Sequence, residues 1–335
     1  MEATKVSEKK ELTAEDFGFM LAPKLNAAGR LGQAQLGVEL LITEDEERAE
    51  ALTRYILELN ENRNKIERSI QISANKQLKE EHSVEQDPAF VLASPAWHPG
   101  VIGIVAGKLA EKYHRPVVLV ALDKLGTKPG TGSGRSPNGV NLHKAFMECE
   151  EWLIAGGGHA AAAGLKIEET NVRAFRSAFL EAVAEQSSDT EMEAEINLDA
   201  EATIDQIDLA IVNQVEKLAP FGMENPRPIF CALDVKLEEV KAMGANDRHL
   251  AVQLSQFGRT IRGVAFGMAE EWLESLQNLE ANIDVAFRPV INEFRGFRKV
   301  ELHLVDWRHH GSGLVPEPHI SAQKHPAVTD PVDSI

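Results

Sequence analysis

The chain has 335 residues, of which 43% are hydrophobic and 26% are charged, a composition typical of a globular protein with two or three domains. Its formal net charge of −17 argues against a generic nucleic-acid coat protein. It does not exclude a local basic groove, because phosphate binding depends on a local patch of charge. The two cysteines, Cys149 and Cys231, lack the spacing of a zinc site or a disulfide framework, which favours a reducing, cytoplasmic location.

No apolar run approaches the roughly 20 residues that span a bilayer, so no membrane partner is expected. Residues 1–42 hold a Pro- and Gly-punctuated stretch that is too small for a core of its own, and we expect them to be the end of a preceding domain.

Thr43 and Glu46 then have the spacing of a capping box. Apolar positions in a 3–4 alternation, with no Gly or Pro before Pro88, predict one long helix over 43–87, about 40 residues or roughly 60 Å.

Residues 88–186 alternate strands with helices, which predicts an α/β domain with a parallel or mixed sheet. "AFVLASPAW" and "PVVLVAL" are predicted strands on either side of the helix "GVIGIVAGKLAEKYH". "TGSGRSPNG" is expected to form a loop, and "GGGH" a turn that leads into a helix of small residues. "VNLHKAFMECEEWL" and "NVRAFRSAFLEAVAEQ" are the other predicted helices.

Residues 187–308 begin with an acidic segment (187–200), interpreted as a linker or as the entry to a strand, and the predicted helix "TIDQIDLAIVNQVEKLAP". Five short strands with one helical insert follow, which predicts an OB-like small β-barrel. Residues 309–335 lack periodicity, and we expect a disordered tail. The expected fold class is therefore α/β plus β: a long connecting helix, an α/β domain and a small barrel.

Two glycine-rich segments are candidate anion sites. "TGSGRSPNG" (131–139) offers N–H groups, hydroxyls and the Arg135 guanidinium to a phosphate, although a flexible surface loop has the same composition. "GGGH" (156–159) brings main-chain donors close to a phosphate, and His159 can donate a hydrogen bond or act as an acid. A tight turn with an incidental histidine is the alternative. His98, just before a predicted helix, is interpreted as structural when taken alone.

The segment "NEFRGFRKVEL" (292–302) interleaves aromatic with basic side chains. On a β-hairpin this combination pairs stacking faces with charges that neutralise phosphate, which is typical of single-strand binding. The alternative is that the phenylalanines belong to the core and the basic side chains are merely solvated. The candidate nucleic-acid-binding residues are Phe294, Arg295, Phe297, Arg298 and Lys299.

Several segments, taken in order, resemble the C-terminal part of the RecJ family of single-stranded-DNA exonucleases, which are DHH/DHHA1 phosphoesterases. The resemblance covers about Leu12 to Trp307 and is carried by "LAPKLNAAGRLG", "WHPGVIGIVAGKLAEKYHRPVVLVAL", "GSGRS", "GGGHAAAAG" and "LAPFGMENPRPIF". It implies the end of a DHH domain over 1–42, a connecting helix over 43–87, a DHHA1 domain over 88–186 and an OB domain over 187–308. It also implies 5′→3′ hydrolysis of single-stranded DNA in recombination and repair, with Mn²⁺ or Mg²⁺.

The resemblance assigns roles to individual residues. It implies a catalytic role for His159, which with Gly157 and Gly158 matches a "GGH" segment that closes over the scissile phosphate. Arg30 of "NAAGR" matches a substrate-facing arginine, and Asn60 and Arg63 match polar positions on the connecting helix. The residues of "SGRS" match a loop that binds substrate phosphate, including the 5′ end: Ser133, Gly134, Arg135 and Ser136.

The sequence departs from the family because it has no Asp-His-His triplet, which provides metal ligands in the DHH domain. We therefore expect this chain to bind no metal itself and to be inactive alone, as the substrate-binding half of an exonuclease. A separate DHH domain or other repair proteins are the expected partners besides single-stranded DNA. The alternative is a non-catalytic single-strand-binding or partner-binding protein. RNA is a third candidate ligand, because DHHA1 modules also occur in enzymes that act on short RNA and on tRNA.

Overall fold

The computed structural model describes residues 12–84, 86–137, 140–187, 196–222, 224–279, 281–294 and 296–312. The chain divides into two compact units, residues 1–195 (unit 1) and residues 196–335 (unit 2). Arg295, most of the expected acidic linker and the expected tail beyond residue 312 lie outside the described residues. Among the described helices, none combines the length and hydropathy needed to cross a membrane.

Unit 1 begins with short helices that pack against one long helix. A π-helical turn (Asp16–Leu21) leads into α1 (Ala22–Arg30) and α2 (Ala34–Ile42). Ala28 of α1 shares a small apolar cluster with Ile56 and Leu59 of the long helix. The N-terminal segment, too small for a core of its own, is therefore ordered by packing on its neighbour.

The long helix α3 (Glu46–Glu81) has 36 residues, so the prediction of one long helix is confirmed. It begins two residues later than the capping-box pattern predicts. Its N-cap is Asp45, whose carboxylate accepts a hydrogen bond from the Arg48 N–H at 3.1 Å, whereas Thr43 is extended.

The sheet of unit 1 is mixed and has the strand order β1-β2-β3-β5-β4. β1 and β2 are parallel and are joined by the crossover helix α4 (Ile102–Tyr113), whereas the other neighbours are antiparallel. The strands are β1 (Phe90–Ser94), β2 (Val117–Ala121), β3 (Gly130–Arg135), β4 (Ala155–Gly158) and β5 (Ala162–Ile167).

Helices cover this sheet on both faces. Side chains of β1 and β2 such as Phe90 and Leu119 pack with α3 and α4 on one face. On the other face α5 (Leu142–Glu148) and α6 (Val172–Ser187) pack through Phe146, Phe175 and Phe179, whose rings lie 5.6–5.9 Å apart. The core is therefore split into two layers by one sheet.

The glycines of both segments lie in strands, which corrects the predicted loop over 131–135 and the predicted turn over 156–158. β3 pairs with a neighbour on each side, and its alternate glycines face the α5 layer. A Cβ atom on Gly132 would lie 2.5 Å from Leu165 Cδ1, and one on Gly134 would lie 3.2 Å from Phe146 Cζ. The predicted helix of small residues is also wrong, because Ala162 begins β5.

Unit 2 contains a closed five-stranded barrel, which confirms the OB-like prediction. The order β10-β11-β9-β8-β7 closes through a direct pairing of β10 with β7. Phe287, Leu250 and Leu302 are buried in its interior. The strands are β6 (Ala200–Glu201), β7 (Phe230–Met243), β8 (His249–Gln256), β9 (Arg259–Ala265), β10 (Ile283–Phe294) and β11 (Phe297–His309).

Two helices accompany the barrel. α8 (Ala269–Gln277) is the predicted helical insert. α7 (Leu209–Glu216) is shorter than predicted and is capped by Asp208, whose carboxylate accepts from the Ile211 N–H at 2.9 Å.

Candidate phosphate-binding site

The side chains of β3 are divided between the two faces of the sheet. Thr131, Ser133 and Arg135 lie on the face opposite the glycines, toward α4. The close approach depends on Gly103 of α4, where a Cβ atom would lie 2.8 Å from Ser133 Oγ and 3.0 Å from Arg135 Nη2. A glycine in the first turn of α4 therefore makes room for the Arg135 side chain.

Arg135 is a half-buried cation with spare hydrogen-bond donors. Its Nη1 donates to Ser133 Oγ at 3.0 Å and to the Gly134 carbonyl oxygen at 2.7 Å. A guanidinium has five N–H donors, and no ion pair joins Arg135 to a carboxylate in the described part of the chain. Burial lowers the pKa of the Arg135 guanidinium, and the nearby positive charge of Arg30 lowers it further.

Arg30 reaches the same place from the end of α1. Its Nη1 donates to the Gly100 carbonyl oxygen at 3.3 Å, and no carboxylate of the described residues forms an ion pair with it. The Gly100 N–H donates to Nδ1 of His98 at 3.1 Å, which fixes the loop before α4. We call Arg30, Ser133 and Arg135 the arginine cluster. Two arginines in one region, neither ion-paired with a described carboxylate, make the arginine cluster a candidate site for an anion.

The "GGGH" segment lies at the free edge of the same sheet. β4 is the edge strand, and all four of its residues are exposed. In the register, Gly157 pairs with Gly164, which pairs with Ser133, so the three lie in one row across three strands. At about 4.8 Å per strand, Gly157 is about 10 Å from Ser133. We call these three residues the glycine row; its two glycines offer bare main chain beside Ser133 of the arginine cluster.

His159 follows β4 directly. Its N–H donates to the Ala162 carbonyl oxygen at 2.9 Å, and its side chain is exposed with no hydrogen-bond partner among the described residues. The imidazole is thus available to a ligand, and its catalytic role stays a prediction.

Two predicted phosphate ligands do not point into the arginine cluster. Gly134 faces the α5 layer. The Ser136 hydroxyl is buried, within 3.0 Å of the Pro137 and Val140 carbonyl oxygens, to which it donates. Of the "SGRS" side chains, Ser133 and Arg135 are therefore the two that reach the cluster.

The predicted polar residues of α3 form hydrogen bonds within the protein. Arg63 donates to Glu67 Oε2 at 2.7 Å and to Asn60 Oδ1 at 2.9 Å. Glu67 is buried and also accepts from Lys108 of α4 at 2.5 Å. This network joins α3 to α4, so Asn60 and Arg63 have a structural role besides any contact with a ligand.

The second candidate site is the β10–β11 hairpin of unit 2. Phe297 is 73% exposed, so for this residue the core alternative is wrong. Phe297 and Lys299 line a groove of about 1310 Å³ together with Arg259 and Arg262 of β9. Arg298 instead donates to Asn213 Oδ1 of α7 at 3.2 Å. Phe294 pairs with Phe297 through the backbone of the hairpin.

Sequence patterns did not identify the cations from β9. Arg262 forms an ion pair with Glu301 at 3.1 Å, and Arg259 donates to the Asp205 and Ile207 carbonyl oxygens at 2.7 and 2.9 Å. They join the groove because β9 pairs with β11, a contact that no local motif signals. In the described part of the chain, no group of three or more His, Cys, Asp or Glu side chains is arranged to hold a metal ion.

Comparison with known families identifies the type of domain in each unit. The family model of the DHHA1 domain matches residues 86–185, and that of the RecJ OB domain matches residues 198–306. The chain carries the DHHA1 and OB domains of the RecJ family.

Curated RecJ proteins show the same similarity at the level of whole sequences. The chain is 32% identical to the single-stranded-DNA-specific exonuclease RecJ of Haemophilus influenzae over 305 residues, which is 89% of this chain and 52% of the relative. It is also 32% identical to the RecJ proteins of Bacillus subtilis and Escherichia coli, over 88% of this chain in each case. These matches cover 37% and 51% of those relatives, so the chain spans about half of their length or less.

Solved structures of RecJ from Thermus thermophilus have a similar fold. The complex with Mg²⁺ matches with a TM-score of 0.73 and 29% identity, covering 92% of this chain and 46% of that one. The complex with Mn²⁺ matches with a TM-score of 0.74 and 28% identity, covering 94% and 45%.

The neighbouring glycines of the "GGGH" segment are predicted to differ in their tolerance of a side chain. Gly158 has φ +146°, and a Cβ atom there would lie 2.5 Å from the Ala162 carbonyl oxygen, whereas nothing lies within 4 Å of one on Gly157. Gly158→Ala should lower the free energy of unfolding of unit 1 by about 1–3 kcal/mol. Gly157→Ala should change it by less than about 0.5 kcal/mol. Urea unfolding measures both; equal losses would contradict the β4–β5 geometry.

Proposed function

We propose that the chain is the substrate-binding part of a RecJ-type exonuclease that degrades single-stranded DNA from its 5′ end. The observation that carries this proposal is the arginine cluster: Arg30 approaches the loop before α4, Arg135 packs against the first turn of α4, and neither forms an ion pair with a carboxylate of the described residues. A phosphate group provides the missing negative charge, and a guanidinium binds it through two parallel hydrogen bonds. The Ser133 hydroxyl lies within reach of the same anion.

In this proposal the arginine cluster binds a phosphate of the strand, including the 5′-terminal one. Gly157 and Gly164 of the glycine row let the sugar-phosphate backbone approach the sheet, because neither carries a side chain. His159, two residues after Gly157 in the chain, donates a hydrogen bond to the scissile phosphate and stabilises the charge that develops in the transition state. Gly134, Ser136 and Gly158 shape the strand and hairpin that position these groups.

The divalent metal ions belong to another part of the enzyme in this proposal. Mn²⁺ or Mg²⁺ would activate a water molecule and neutralise the phosphoryl oxygens when bound. We propose that their ligands come from a DHH domain, on this or another polypeptide, and that residues 1–42 adjoin it. The proposed domain boundaries are 43–87 for the connecting helix, 88–186 for the DHHA1 domain and 187–308 for the OB domain. The proposed location is the cytoplasm, alongside other repair proteins.

The barrel is proposed to bind the strand without regard to sequence. Phe297 presents an exposed aromatic face on which bases stack, and Lys299 adds a positive charge in the same groove. Phe294, Arg295 and Arg298 are included as residues of the same hairpin. A non-catalytic single-strand-binding protein would use the same two sites, and absence of digestion in the presence of a DHH domain would favour it.

The arginine cluster predicts a preference for a 5′-phosphate. Wild-type protein should bind a short 5′-phosphorylated oligo(dT) more tightly than the 5′-hydroxyl form in fluorescence anisotropy. Arg135→Ala should remove about a tenfold preference, since a hydrogen bond to a charged group contributes about 1.5–3 kcal/mol. Arg173→Ala, at an exposed arginine of α6, is the control and should leave the preference intact. An unchanged preference in Arg135→Ala would contradict the proposal.

The hairpin predicts loss of stacking when Phe297 is truncated. Phe297→Ala should weaken oligo(dT) binding about tenfold, because stacking contributes about 1–3 kcal/mol per base. Phe257→Ala is the matched control: Phe257 is 78% exposed in the same unit but does not line the groove. Equal effects of the two substitutions, measured by anisotropy at one salt concentration, would remove the groove from the account.

A further inference from the structure

A second concave site in unit 1 lies at the carboxyl ends of the parallel strands β1 and β2. It is a groove of about 840 Å³ between the loop that follows β1, the loop that follows β2, and Ile66 of α3. The carboxyl ends of parallel strands are where open α/β sheets bind ligands. We call this the lysine groove, because Lys124, Lys128 and Lys166 line it.

The lysine groove carries an excess of positive charge. Lys166 Nζ donates to Thr131 Oγ1 at 2.6 Å, and none of the three lysines forms an ion pair with a carboxylate of the described residues. Asp123 is the one carboxylate in the described lining, and it accepts from the N–H and hydroxyl of Thr127 at 2.9 and 3.0 Å. Those hydrogen bonds lower the pKa of Asp123 and keep it in the turn. In a chain of net charge −17, this is an unusual local surplus.

The lysine groove adjoins the arginine cluster. Thr131 lines the groove and lies on the same face of β3 as Ser133, two residues or about 7 Å away. His98 also lines the groove, and its Nδ1 accepts from Gly100, whose carbonyl oxygen accepts from Arg30. A strand with one phosphate at the cluster can therefore place a neighbouring phosphate at the lysines.

We propose that the lysine groove binds a second phosphate of the same single strand, next to the phosphate at the arginine cluster. This inference rests on the proposed function, since it takes the cluster as the site of the first phosphate. The groove adds a charge contact that is independent of sequence. Its role is to hold the register of the strand, not to act on the reacting atoms.

The salt dependence of binding tests the lysine groove. Anisotropy with 5′-phosphorylated oligo(dT) is measured against salt for wild type, for Lys124→Gln/Lys128→Gln, and for the control Lys76→Gln/Lys144→Gln. The control lysines are exposed and do not line the groove. Loss of one phosphate contact should lower the slope of log K against log salt by about 0.7 in the groove variant alone. The preference for 5′-phosphate over 5′-hydroxyl should persist in that variant.

The outcomes separate this inference from the proposed function. A groove variant with the wild-type slope, while Arg135→Ala still loses the 5′-phosphate preference, overturns the lysine groove and leaves the proposed function standing. Failure of the wild-type protein to bind the oligonucleotide overturns both. Inorganic tripolyphosphate is the probe for a free anion. If it binds more tightly than the oligonucleotide, and the groove variant loses that binding, the assignment to a strand phosphate is wrong.

Discussion

The close approach of α1 to the loop before α4 is the constraint on which the candidate site depends. A Cβ atom on Gly100 would lie 2.0 Å from the Arg30 carbonyl oxygen, so only glycine permits this contact. It holds the end of α1, and with it Arg30, close to the start of α4, where Gly103 admits Ser133 and Arg135. Burial lowers the pKa of the Arg135 guanidinium, and the positive charge of Arg30 lowers it further. A partly buried charge near a like charge is unfavourable without a ligand, and such arrangements are typical of binding sites.

The two faces of the sheet in unit 1 have different roles: one packs against the core, and the other carries the candidate site. Because successive side chains alternate between faces, the glycines of β3 admit Leu165 and Phe146 on one side while Ser133 and Arg135 lie on the other. On this second face β4 and β5 contribute Gly157 and Gly164, which leave the main chain bare. In the proposed function a phosphodiester backbone lies on this surface, where Arg135 offers a cation and the two glycines leave room for the chain.

The sequence predicted those parts of the fold in which apolar residues face a core. The long helix was predicted from a 3–4 alternation of apolar positions, β2 from a continuous apolar run, and the barrel strands from short stretches separated by turn residues. β3 and β4 were not, since glycine has a low preference for strands and only pairing with β2 and β5 overrides it. The start of α3 was missed because Thr43 and Asp45 are both good caps.

The site was harder to predict than the fold. Arg30 had no local signal, and its place beside Arg135 follows from tertiary packing; the resemblance to RecJ proteins pointed to it instead. Arg259 and Arg262 were missed because the β9–β11 pairing is remote in sequence. The ion pair between Arg63 and Glu67 has the (i, i+4) spacing of neighbours on a helix, which the sequence shows. The burial of Glu67 had no signal in the sequence.

Nuclease activity is the most direct test that this chain provides the substrate-binding half of the enzyme. Release of mononucleotides from 5′-phosphorylated single-stranded DNA is measured with Mn²⁺, for the chain alone and for its mixture with a separately produced DHH domain of a RecJ relative. The account predicts no release by the chain alone, release by the mixture, and loss of that release in Arg135→Ala. Robust metal-dependent digestion by the chain alone would contradict it.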